Sequence, residues 1–161
     1  MYMQELKRKL SNLLWLINLW NLLRYRKHSD KLDVENNGTH AYIKKDIRGN
    51  DNKVYISERT KIDKAVIHIR GNNNIISFGK NCFVGIGCSF WMEGNNIKIE
   101  IGDNCTFTQY NHFCAQEDNM SIVLGNDCMI SNHVIIRTSD SHAIYNAEGE
   151  RTNKSGSVIN R

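Results

Sequence analysis

Bulky apolar residues return at every sixth position along much of this chain: Phe78, Val84 and Phe90, then Ile101, Phe107 and Phe113, then Leu124, Ile130 and Ile136. That period fits neither a helix nor a single alternating strand, but it does fit a short strand followed by a corner. A longer register overlies it. Arg48-Gly49-Asn50, Arg70-Gly71-Asn72, Glu93-Gly94-Asn95 and Gln116-Glu117-Asp118 open successive units at spacings of 22, 23 and 23. Phe78-Gly79, Ile101-Gly102 and Leu124-Gly125 coincide in the same register, as do Asn81, Asn104 and Asp127, then Cys82, Cys105 and Cys128. One such unit cannot bury its own apolar face, so the units must stack and share a single core. The pattern therefore predicts a triangular parallel coil from residue 47 onward. Cys82, Cys105 and Cys128 should stack inside it as small hydrophobes at a corner. The residues in excess of three hexads, Trp91–Asn96 and Cys114–Asn119, are expected to leave the coil as loops on one face, where solenoids place their sites.

Ahead of the repeat, Leu6, Leu10, Leu13, Ile17, Trp20 and Leu23 recur at spacings of three and four, which predicts an amphipathic helix over residues 1–27. Asn12, Asn18 and Asn21 interrupt its apolar core, which is shorter than the roughly 20 residues a membrane span needs. The basic run Arg24-Tyr25-Arg26-Lys27-His28 follows directly, where a secretory signal would carry small residues for cleavage. Two readings stand: peripheral contact with an anionic membrane through residues 1–27, or packing on the chain itself or a neighbouring subunit. Residues 28–46, rich in Asp, Asn, Lys and Gly, predict a solvated connector.

At 161 residues there is room for one domain and an appendage. The formal charge of +4 lies largely in the N-terminal segment, and the repeat carries no basic stripe interleaved with aromatics, so no nucleic-acid partner is expected. The five cysteines are odd in number and include no CxxC pair, which points to a reduced, cytoplasmic chain without a zinc site.

Ile101-Gly102-Asp103-Asn104-Cys105 and Leu124-Gly125-Asn126-Asp127-Cys128-Met129-Ile130 resemble the hexapeptide repeat of the left-handed β-helix acyltransferases. With its spacing to Ser139-Asp140-Ser141-His142, the stretch Asp127–Ala143 is similar to the sugar O-acetyltransferases, among them the maltose and galactoside enzymes and those that decorate capsule and lipopolysaccharide. The resemblance implies an all-β fold, a left-handed parallel β-helix preceded by the amphipathic helix. It also implies acetyl-CoA as co-substrate, no metal, a glycan or sugar acceptor, and a homotrimer with its site in the cleft between neighbouring coils. Ala143 stands where the family often has proline. Family members resume the repeat after the histidine loop, so the chain resembles the front portion of a longer enzyme.

Transfer of an acetyl group to a hydroxyl needs a base for the hydroxyl proton, and neutral imidazole serves near pH 7. The resemblance assigns that role to His142. The hexad period alone would instead make it an inward residue, six beyond Ile136, although the polarity of residues 138–153 favours a loop. Asp140 either orients the imidazole through Nδ1 or caps a turn. The family's sugar-binding Asn and Asp fall on Asn111 and on Asp118 or Asn119. Asn111 also shares the small inward column of Cys88 and Val134, which would bury it. His112 and His133 either flank a cleft or lie solvated on the surface, and Trp91 either stacks on a sugar or packs. The implied activity is an acetyl-CoA-dependent O-acetyltransferase acting on a bacterial surface glycan. The alternatives are an N-acetyltransferase of an amino-sugar nucleotide and a truncated, non-catalytic assembly module.

Overall fold

The computed structural model describes residues 32–160, and the helix expected over residues 1–27 lies outside them. Fourteen short strands follow one another in those residues: β1 (Leu32–Asn36), β2 (His40–Arg48), β3 (Asn52–Ile56), β4 (Lys61–Arg70), β5 (Ile75–Phe78), β6 (Phe83–Val84), β7 (Ser89–Glu93), β8 (Lys98–Ile101), β9 (Thr106–Phe107), β10 (His112–Gln116), β11 (Ser121–Leu124), β12 (Met129–Ile130), β13 (Ile135–Arg137) and β14 (Val158–Asn160). All pair in parallel. One stack runs β1-β3-β5-β8-β11-β14; β6, β9 and β12 continue the first half of β4, and β7, β10 and β13 continue its second half. Three stacks of strands make a three-sided parallel solenoid, as the six-residue period predicts. β2 and β4 each span two sides in one strand, and their register shifts between Ala41 and Ile43.

The coil begins earlier than the sequence suggests. Residues 32–46, expected as a connector, form β1 and most of β2 and pair in register with the next coil. Leu32 is buried and Val34, Ala41 and Ile43 are half-buried, enough to lay one more coil on the column despite its polar composition. A second difference concerns the extra residues of each unit. They do not leave the coil: Ser89–Glu93 and His112–Gln116 are strands, so the third side is longer than the second and no loop is extruded.

Corners are set by left-handed backbone. Asp51, Asn73, Asn96 and Asn119 form one column of positive φ, and Arg59, Asn81, Asn104 and Asp127 another. Asn and Asp tolerate that conformation best among residues other than glycine. Their side chains also bond from coil to coil. Asn50, Asn72 and Asn95 each donate a backbone N–H, at 2.7–2.9 Å, to the side-chain oxygen one coil later, ending on Asp118.

Inside, every coil contributes to shared columns. Val54, Ile76, Ile99 and Ile122 are fully buried in one, while Phe90 and Phe113 stack with ring centroids 5.1 Å apart in another. Cys82 and Cys105 are buried at a corner, where each thiol donates to a glycine carbonyl one coil later, Gly102 and Gly125, at 3.1 Å. Cys128 is only half-buried, because β12 and β13 are the last strands of their stacks among the described residues.

Candidate functional site

After Arg137 the chain leaves the coil and returns only at β14. Gly156 closes the excursion by donating its N–H to the carbonyl of Thr138 at 2.9 Å. Thr138 is buried at its base, and its hydroxyl both accepts from the Gln116 N–H and donates to the Gln116 carbonyl, at 2.9 and 3.0 Å. Within the excursion, Tyr145 and Arg151 form an antiparallel bridge, and Thr152 N–H donates to the Ile144 carbonyl at 2.8 Å. Asn153 closes this small hairpin from below. Its Nδ2 donates to the His142 carbonyl at 2.7 Å and to the Asp140 carboxylate at 3.2 Å, while its Oδ1 accepts from the Ile144 N–H at 2.6 Å.

Between this loop and the end of the third side lies an open cleft of about 310 Å³, walled by Glu93, Gln116, Glu117 and Asp118 from the coil and by Ser139, His142 and Arg151 from the loop. Gln116 ties the two walls together. Its Nε2 donates to Glu93 at 2.9 Å, and its Oε1 accepts from the hydroxyls of Ser139 and Ser141 at 3.2 and 2.6 Å. Burial works to raise the Glu93 pKa, but hydrogen bonds from Gln116 and Trp91 and the charges of His68 and Arg70 outweigh it and hold the carboxyl below its usual range. On the other side, the guanidinium of Arg151 takes both carboxylate oxygens of Glu117, with Nη1 to Oε2 at 3.0 Å, and lowers that carboxyl's pKa.

His142 is exposed on the loop rather than inward, so the hexad period does not run through it. Its Nδ1 lies 2.8 Å from the backbone carbonyl of Asp140. A carbonyl only accepts, so the bond requires the proton on Nδ1 and leaves Nε2 of the neutral ring unprotonated. Such a ring can take a proton at Nε2. The expected role of Asp140 is thereby changed: its carbonyl, not its carboxylate, orients the ring, while the carboxylate accepts from Asn153.

The candidate acceptor ligands divide. Asp118 lines the cleft, with Oδ1 accepting from both nitrogens of Asn95. Asn119 sits at the neighbouring corner, φ 63°, where its Oδ1 accepts from Asn96 Nδ2 at 3.3 Å as the last rung of an asparagine ladder. Asn111 is fully buried. Its Oδ1 accepts from the Val134 N–H at 2.9 Å and its Nδ2 reaches Cys88 Sγ, so in this chain it is a rung of the inward column, out of reach of a ligand. Trp91 lies within β7 and stacks on His68 with ring centroids 3.6 Å apart. His112 is half-buried in β10, its Nδ1 2.6 Å from the Ser89 hydroxyl, whereas His133 is exposed against Tyr110. Neither histidine lines the cleft.

Glu93, Gln116, Glu117, Arg151 and Asn153 join the site without having been singled out from sequence. One signal was present for two of them: where earlier units open with a basic or acidic residue, Gly and Asn, this unit reads Gln116-Glu117-Asp118.

No protein-family model and no curated protein matches the chain. Among solved structures the chain is similar to the polySia-specific acetyltransferase NeuO, with a TM-score of 0.60 and 26% identity over 78% of this chain. The match takes in 57% of the NeuO chain. The likeness supports the acyltransferase β-helix fold implied by the hexapeptide pattern and bears on the glycan acetyltransferases generally, without favouring the maltose and galactoside type.

Proposed function

We propose that this chain is the β-helix of an acetyl-CoA-dependent O-acetyltransferase that acts on a bacterial surface glycan, capsule or lipopolysaccharide or a precursor of either, with His142 as general base. The observation that carries the reading is the 2.8 Å approach of His142 Nδ1 to the Asp140 carbonyl, which turns Nε2 to the acceptor role on a residue that lines an open cleft. In direct transfer, Nε2 takes the proton of the acceptor hydroxyl as its oxygen attacks the thioester carbonyl. The C–S bond then breaks, and the imidazolium returns the proton to the departing thiolate. At about 310 Å³ the cleft stands at the small end of ligand sites, which run roughly 300–1,000 Å³, so it suits one sugar or the acyl end of the donor. Asp118 and the serines offer the polar groups a sugar needs. The likeness to NeuO supports a glycan as acceptor.

The same reading places the reaction in the cytoplasm, where acetyl-CoA is made, in a homotrimer, with residues 1–27 available to bring the enzyme against the membrane on which glycan precursors are assembled. The test is thiol release from acetyl-CoA with and without bacterial glycan acceptors. Glycan-dependent release, lost in His142→Ala, is expected. Release that needs a free amine on the acceptor would move the reading to N-acetylation.

A further inference from the structure

We infer that Glu117 and Arg151 form a clamp that positions the histidine loop, and that Glu117 occupies a glycine position in the repeat to serve it. The inference rests on the reading of His142 as general base.

Gly49, Gly71 and Gly94 hold the corner equivalent to Glu117 in the three preceding coils, with φ of +136°, +135° and +146°. The reason is packing: a Cβ on Gly71 would lie 1.9 Å from the Gly94 carbonyl oxygen. Among the described residues no coil strand stacks on the Glu117 corner, since the β10–β13 pairing ends at Cys114 and Arg137, and the 138–157 excursion lies there instead, so a side chain has room. Its backbone is left-handed, φ 72°, as at the other corners of the coil, Arg59 and Lys64 included.

What the side chain does there is specific. Both carboxylate oxygens meet both terminal nitrogens of Arg151, the planar two-point geometry that fixes direction as well as distance. Arg151 is bridged to Tyr145 across the hairpin, and two residues on, Asn153 holds the carbonyl of His142 and the N–H of Ile144. A continuous series of bonds therefore runs from the rigid coil through Glu117, Arg151 and Asn153 to the residue that carries the imidazole. The loop has little apolar anchorage of its own: Ile144 and Tyr145 are exposed. Glu117 and Arg151 are thus positioning residues, acting through the loop backbone.

Glu117→Gly is the informative variant, since it restores the residue that the repeat uses and removes the clamp together. Chymotryptic cleavage after the exposed Tyr145 should quicken about tenfold as the loop opens more often. Turnover should fall about tenfold or more, because a displaced base misses its target, with KM for acetyl-CoA within about twofold of the parent and a melting temperature no lower. Arg151→Met leaves the coil untouched and should reproduce both effects, and the double variant should lose no more than either single one. An unchanged cleavage rate in both variants overturns the clamp, whether or not the protein transfers acetyl groups. Faster cleavage with unchanged turnover overturns the positioning role. A parent chain with no transfer to any acceptor would overturn the proposed function, and the cleavage rates would still decide the clamp.

Discussion

The coil and the loop that leaves it satisfy their polar groups in opposite ways. In the coil, each corner bonds to the equivalent corner one turn away: Asn52 Oδ1 accepts from Asn74 N–H, and Asn74 Oδ1 from Ile97 N–H, at 3.0 and 2.8 Å. Identical rungs share one core. In the loop, a set of bonds runs on the loop itself, through Asn153, Asn146 and the Asp140 carbonyl to one imidazole nitrogen, and Gln116 and Glu117 tie that set to the coil. Translation along the repeat makes a scaffold, and breaking that translation makes a place where chemistry fits. The two regions should therefore respond differently to substitution, the loop in activity and the coil in stability.

The largest effect is expected at His142. His142→Gln retains size and hydrogen bonding but removes the titratable nitrogen, and loss of a general base costs about 10²–10⁴-fold in rate. Melting temperature should not change, as the side chain is exposed. Near-normal turnover in a folded variant would remove His142 as the base and erase the contrast between loop and coil. Phe90→Ala tests the other side. Phe90 is fully buried between Phe78 and Phe113, and deleting such a ring typically costs about 3–5 kcal/mol. Denaturant titration should show that loss, and a variant of wild-type stability would mean the column is not a shared core.

Much of the coil was legible in the sequence because its cause is local and repeated. A six-residue period, three glycines in register and a column of small corner residues each follow from one rule applied at every turn. The first coil was not, since the exposed Asp33, Glu35 and Lys44 mask the sparse inward set of Leu32, Val34, Ala41 and Ile43. At the site, a motif identified His142, but the partner of its Nδ1 is a backbone carbonyl, which no side-chain pattern can reveal. Glu117 and Arg151 lie 34 residues apart and meet only because the loop folds back on the last coil. The break of the glycine column at Glu117 was visible; what it served was not.

A smaller effect is expected at Asn111, where sequence left two roles open. Asn111→Ala would leave the Val134 N–H without its acceptor, a loss of about 1–3 kcal/mol for an unsatisfied buried group. The acceptor KM should stay unchanged in whatever fraction folds. A selective rise in KM at constant stability would instead restore Asn111 as a sugar ligand and require the column to open.

The smallest effect concerns the outer face of the third side. Burial, and then the charge of Arg137, lower the His112 pKa in the folded chain. Protonation is thus harder in the folded state than in the unfolded one, where histidine titrates near pH 6.5. The contribution to stability is present above about pH 6.5 and is lost as the pH falls from there through the folded-state value, over which the unfolded chain binds more protons. His68 shifts the same way, burial and Arg70 prevailing over the opposing pull of Asp46 at 3.1 Å, so the two histidines add. Midpoints of urea unfolding should therefore decline from pH 7 to pH 5, and His112→Gln should flatten that decline in part while leaving the plateau above pH 7 nearly in place. A decline equally steep in His112→Gln would show that the ring titrates as freely in the coil as in the unfolded chain. The half-buried outer face would then resemble the solvated loop in its response to protons, and the difference between the two regions would rest on hydrogen bonding alone.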